Sequence, residues 1–298
     1  MQPSLNHFLS LGRPAWAAAR SWLTEVLSNP AHRDGIEPFL IPLSDGKHLP
    51  IGYHGRSGTV VVSGTEILRP MGQRKVPTDP APVFGPSSKL DIEAKLAFIV
   101  GGATELGRPL GIDDAADHLF GVALLSDWSA RDLQAWEYVP LGPFLGKSFG
   151  ASLGVWVVPM EALVAARVPQ PQQDPEPLPY LRASGETGSG AGPFGLDLPL
   201  EVRLNGTLVS SPTYAGMYWS PDQRLAHQTV NGASLRDGDL FASGTISGAG
   251  RNTRGSLMQL TWNGQEPLTL DDGLTRAFLQ DGDTVTVTGW LRARMARA

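Results

Sequence analysis

Residues 126–150 read Ser-Asp-Trp-Ser-Ala-Arg-Asp-Leu-Gln-Ala-Trp-Glu-Tyr-Val-Pro-Leu-Gly-Pro-Phe-Leu-Gly-Lys-Ser-Phe-Gly. The apolar run at 121–125 just before them predicts a strand that ends at the carboxylate of Asp127. Ser129 is placed to cap a short helix over 130–138, because its hydroxyl can accept from the first unpaired amides. On that helix Arg131, Gln134 and Tyr138 stand at i, i+3 and i+7 and share one face, with Leu133 and Trp136 on the others. Pro140, Gly142 and Pro143 end the helix, and Gly146-Lys147 sets a lysine on a loop with little side-chain clutter. The pattern fits a site that gathers carboxylate, guanidinium, amide, phenol and amine. It fits equally a surface helix with solvated polar residues.

Upstream, residues 90–100 form the clearest strand, with Ile92, Ala94, Leu96, Phe98 and Val100 on one face. Glu93 and Lys95 fall together on the other. Two carboxylates at that spacing would suit a hard cation, but one of the pair is a lysine, and a solvated ion pair is the better local reading. His54, between Gly52-Tyr53 and Gly55-Arg56, reads first as a turn residue and second as a ligand or base. An amphipathic helix is predicted over 13–28 and a proline-rich loop over 29–50. Downstream come strands at 151–158, 198–204 and 207–210, the last two joined by the hairpin turn Asn205-Gly206. Further strands are expected at 256–262 and 284–289, and the Gly/Ser/Thr turn at 242–248 can offer Thr245 to a carboxylate or be a plain turn.

The whole describes a mainly β, α+β fold with a few helices. Gly (35) and Pro (25) are both abundant, as many turns require. A net charge of −5 argues against nucleic acid or an anionic membrane as the main partner. With no cysteine, thiolate metal sites and thiol nucleophiles are excluded. No 18-residue apolar run and no leader pattern is found, so a cytoplasmic location is the expectation.

Gly-Tyr-His-Gly-Arg (52–56), Val-Ser-Gly-Thr (62–65), Asp-Trp-Ser-Ala-Arg-Asp (127–132), Pro-Leu-Gly-Pro-Phe-Leu-Gly-Lys-Ser-Phe-Gly (140–150), Val-Asn-Gly (230–232) and the 242–248 turn together resemble the fumarylacetoacetase family, in collinear order. The resemblance implies a mixed β-sandwich roll, a homodimer, and metal-dependent hydrolysis of a carbon–carbon bond in a small diketo acid during tyrosine and phenylalanine breakdown. It makes Asp127 and Glu93 ligands of Ca²⁺ or Mg²⁺, with Arg131, Gln134 and Lys147 as polarising donors. Tyr138, Thr245 and Gln134 become substrate contacts, and Gln259 stands where an imidazole-orienting carboxylate is expected. Residues 51–298 would be the catalytic domain, and 1–50 a remnant helix and loop.

This sequence departs from the family pattern in its chemistry. Ser44-Asp45-Gly46-Lys47-His48 joins flanks between which the family carries a ligand aspartate, the base histidine, and a substrate-holding tyrosine and arginine. Lys95 replaces the second Glu of Glu-x-Glu, and Gln259 replaces a Glu. Both termini are expected to be short. Metal binding is therefore expected to be weakened and hydrolysis impaired. A rescue would bring in His48 or His54 as base with Asp45 as ligand. The alternatives are a non-catalytic homologue that binds a dicarboxylate-like ligand or a partner subunit, and a shortened product without function.

Overall fold

The computed structural model describes residues 48, 50–75, 80–138, 141–184 and 193–290. The helix predicted over 13–28, most of the 29–50 loop, Asp45 and the tail after 290 lie outside them. The centre is a mixed sheet in the order Val60–Val62, Ala151–Leu153, Leu119–Asp127, Ala94–Val100, Leu240–Ala242. Only the first two run parallel. The long pair is antiparallel, with Ala94 opposite Ser126 and Phe98 opposite Val122. That register carries on past the ends of the strands: Glu93 and Asp127 exchange both backbone hydrogen bonds at 3.0 Å, and Asp91 faces Ser129.

One face of the 94–100 strand builds the core. Leu96, Phe98 and Val100 pack with Phe241, Tyr214 and Leu225, and Ile92 and Ala94 with Val202, Leu204, Leu257 and Leu260. Val202 and Leu204 belong to a second, three-stranded antiparallel sheet of Leu200–Leu204, Thr207–Ser210 and Val285–Gly289. Its hairpin turns at Asn205 and Gly206, with φ of 50° and 85°, the left-handed pair that a type I′ turn needs.

The other face is not solvated. Arg131 from the helix Arg131–Glu137 and Lys147 from the turn Leu145–Lys147 reach Glu93 there, and the Tyr53 ring lies by Lys95, so Glu93 and Lys95 are only 7% and 4% exposed. The solvated ion pair expected from their alternation is thus a buried one. The helix starts at Arg131 rather than 130. Ala130 is its N-cap without a side-chain bond, while Ser129 lies in the ladder with Asp91 and its hydroxyl bonds elsewhere.

Two other elements differ from expectation. The 151–158 strand breaks into Ala151–Leu153 and Val158–Pro159. Residues 256–262, expected to be extended, contain the helix Leu257–Leu260. Ser256 Oγ accepts from the Gln259 amide at its start. Asp91 accepts from the Leu257 and Met258 amides at 2.7 and 3.2 Å. Trp262 and Asn263, both at positive φ, end it. Leu257 and Leu260 are buried one turn apart, a helical spacing, whereas an extended segment would have put Met258, Leu260 and Trp262 on one face.

Candidate active site

Because Glu93 and Asp127 are a hydrogen-bonded cross-strand pair, their side chains leave the sheet side by side on one face. Like charges so opposed repel. The sequence supplies the remedy two residues on, where Lys95 leaves the same face. Its ammonium lies 3.0 Å from Glu93 Oε2 and 2.5 Å from Asp127 Oδ2. Lys147 reaches the same two oxygens at 3.0 and 2.8 Å from the covering turn and donates to Ser129 Oγ at 2.6 Å. Arg131, at the first position of its helix, spans Glu93 Oε1 at 2.7 Å and Asp91 Oδ2 at 2.8 Å. Three carboxylates and three cations thus share one buried network that sums to zero.

The loop that carries Lys147 is held tightly. Glu137 accepts from the amides of Phe144 and Gly146 at 3.0 and 2.7 Å. A Cβ on Gly146 would come within 2.7 Å of the Gln134 nitrogen and 2.9 Å of the Ala130 oxygen, so only glycine lets the turn seat against the helix.

Charge settles each protonation state. Burial alone would raise the Glu93 carboxyl, but Lys147, Lys95 and Arg131 together hold it well below the ordinary carboxylate range. Asp127 is likewise lowered: Lys147 and Lys95 outweigh both its burial and the repulsion from Glu93. The two lysines diverge. Burial opposes the charge on both, yet Asp127, Glu93 and Tyr53 raise Lys95 well above a normal lysine. Lys147 is lowered, because burial and the cations Lys95 and Arg131 outweigh its carboxylate partners. Lys147 is therefore the amine of the network readiest to release a proton.

Lys147 also forms one wall of a cleft of about 270 Å³, lined by Tyr53, His54, Arg56, Pro143, Phe144 and Ser148. His54 and Arg56 are exposed there, with the Arg56 guanidinium 5.8 Å from the centre of the Phe144 ring. The Tyr53 hydroxyl donates to Asp127 Oδ2 at 2.6 Å, and its ring lies 5.7 and 5.8 Å from the Lys95 and Lys147 ammoniums. A ligand in the cleft would thus meet an amine backed by carboxylates, an imidazole and a guanidinium.

Of the residues expected at a site, Glu93, Asp127, Arg131 and Lys147 are brought together, and Gln134 Oε1 adjoins Arg131 Nη1 at 3.4 Å. Tyr138 is half-buried at the end of the helix. Gln259 Oε1 accepts from Ser247 and Ser256 at 2.7 and 3.1 Å, and so serves a hydroxyl pair beside the network, not an imidazole. Thr245 is half-buried, next to Ile246, whose amide donates to Ala94. His48 is exposed. Sequence reasoning overlooked Asp91 and Tyr53. Asp91 had a signal, because residues 91, 93 and 95 share one strand face. Tyr53 had none beyond its place beside His54.

Residues 34–295 match the family model described as "Fumarylacetoacetate (FAA) hydrolase C-terminal". The chain belongs to the fumarylacetoacetate hydrolase family. It is 43% identical to the fumarylacetoacetase of Arabidopsis thaliana over 340 residues, covering 97% of this chain and 79% of that protein. Against the Homo sapiens fumarylacetoacetase it is 43% identical over 339 residues, with the same two coverages of 97% and 79%. Both alignments exceed the 298 residues of this chain, so these family members carry residues within the aligned region that it lacks. A solved fumarylacetoacetate hydrolase from psychrophilic Exiguobacterium antarcticum is 23% identical with a TM-score of 0.44, over 68% of this chain and 53% of that one.

Members of this family generally depend on a metal, and Glu93 and Asp127 were the expected ligands. The donor set here does not fit one. The oxygens that would face a cation already hold the Lys95 ammonium. Among the described residues no three His, Asp or Glu side chains are grouped to bind an ion.

Proposed function

We propose that this family member hydrolyses the carbon–carbon bond of fumarylacetoacetate, giving fumarate and acetoacetate, in the cleft between His54 and Lys147. The observation that carries the reading is Lys147: an amine with a lowered proton affinity, anchored by Glu93 and Asp127, at the wall of a cleft that also holds an imidazole and a guanidinium. Arg56 would meet a substrate carboxylate. His54 would take a proton from water as hydroxide forms a bond to the carbonyl carbon. Lys147 would donate to the resulting oxyanion and, as the carbon–carbon bond breaks, supply the proton that the departing carbanion needs. Arg131 and Gln134 hold the acidic side of the network in place. Turnover should be slow, because the segment expected to bear the base and a ligand aspartate has no counterpart here.

The test follows loss of the substrate's absorbance with the parent chain, Lys147→Met and His54→Ala. Each variant should lower the rate by about 10²-fold or more. A folded Lys147→Met protein with undiminished turnover would remove the basis of the reading. A second reading is favoured by Lys95, which already satisfies both carboxylates: a non-catalytic homologue that binds a dicarboxylate-like ligand. Saturable fumarate binding without turnover would select it. We also infer the homodimer that the resemblance implies, which sedimentation would check.

A further inference from the structure

We propose that Lys95 is a tethered replacement for a divalent cation, so that this chain keeps the family's carboxylate pair but holds it together with an ammonium. Lys95 Nζ bridges oxygens from two strands, 3.0 Å to Glu93 and 2.5 Å to Asp127, and is 4% exposed. A hard cation held by these two carboxylates would have to occupy that bridging position.

The charge count agrees. With Lys95 the network holds three carboxylates and three cations. A carboxylate at position 95 would leave four against two, a deficit of two positive charges. That deficit is the charge of one divalent ion. Within this network, a lysine in place of a carboxylate at position 95 by itself supplies the two charges that a divalent ion would otherwise bring. Asp127 Oδ2 is also shared by Lys147 and Tyr53, leaving it little capacity for a further cation while Lys95 is in place.

The inference rests on the family reading of this site and not on turnover. Its readout is cation binding, so an inactive chain would leave it standing. The experiment titrates Mn²⁺ by electron paramagnetic resonance, and Mg²⁺ and Ca²⁺ by calorimetry, into the parent, Lys95→Glu and Lys95→Ala proteins. The parent should bind none at this site. Lys95→Glu should bind one divalent ion at least ten-fold more tightly than any weak binding by the parent, and should gain several degrees of melting temperature at saturation. Lys95→Ala vacates the position without adding a carboxylate, and should be stabilised both by divalent ions and by millimolar methylammonium.

Stoichiometric Mn²⁺ binding by the parent that Asp127→Asn abolishes would overturn the proposal. So would a soluble Lys95→Glu protein that binds no divalent ion. If Lys95→Glu folds only when metal is present, that outcome supports it. If Lys95→Glu cannot be folded at all, Lys95→Ala decides. Rescue by methylammonium and divalent ions supports the proposal, and rescue by neither overturns it.

Discussion

Removing Asp91 gives the cleanest energetic test of the buried network. Its side chain is fully buried and performs two tasks at once. It accepts from Arg131 Nε at 2.8 Å, and it caps the 257–260 helix by accepting from the Leu257 and Met258 amides. Asp91→Ala would leave the network one positive charge in excess and strip four donors of their acceptor, Arg131 Nε and the amides of Ile92, Leu257 and Met258. Breaking a buried pair from one side costs about 3–5 kcal/mol. Arg131 keeps Glu93 as a partner, which argues for the lower part of that range. The lost amide bonds add about 1 kcal/mol. We expect a loss of about 4 kcal/mol, or about 8–16 °C in melting temperature for a domain of this size. Urea unfolding followed by circular dichroism measures it. Adding Arg131→Met restores the balance of charge, two carboxylates against two lysines, so the double variant should lose at least 1 kcal/mol less than the sum of the singles. A cost below about 1 kcal/mol for Asp91→Ala, or strict additivity in the double variant, would refute the claim that these charges act as one unit.

Two further outcomes follow from particular residues. Asp222, buried in the Pro221–Thr229 helix, has its carboxyl pushed up to about 7 by burial, against the pull of its own amide and Arg167. Its folded-state affinity for a proton exceeds that of the unfolded chain, so the folded form binds more protons between about pH 4 and 7 and stability falls as pH rises through that window. Asp222→Asn should therefore be more stable than the parent at pH 8 and nearly equal to it at pH 4, as thermal melts at the two pH values would show. Gly146→Ala should displace the Lys147 turn from the 131–137 helix, because the new Cβ meets backbone atoms at 2.7 and 2.9 Å. Fumarylacetoacetate turnover should then fall about as far as in Lys147→Met.

Periodicity made the strands at 94–100, 119–127 and 200–204 and the Asn205-Gly206 hairpin legible, because apolar alternation and turn chemistry are local signals. It could not show what covers the second face of the 94–100 strand. An alternating strand presents Glu93 and Lys95 away from its apolar side, and residues distant in sequence, Tyr53, Arg131 and Lys147, decide whether they meet water. Register was equally invisible, and the site depends on it, since the Glu93–Asp127 pairing is what sets two carboxylates together. The 257–260 helix was readable in principle: Ser256 followed three residues later by Gln259 is a helix-start signature, outweighed here by the alternation of Met258, Leu260 and Trp262. Its other cap, Asp91, is 166 residues away in sequence.

The bridging ammonium of Lys95 can be observed directly, by recording the lysine side-chain ¹⁵N signals of the protein with and without 10-fold excess Mg²⁺ or Ca²⁺. A bridging Lys95 should give a slowly exchanging ammonium that persists above the pH at which Lys147 loses its proton and does not change when either cation is added. A Lys95 signal that shifts saturably with Mg²⁺ or Ca²⁺, or that exchanges as fast as a surface lysine, would contradict it.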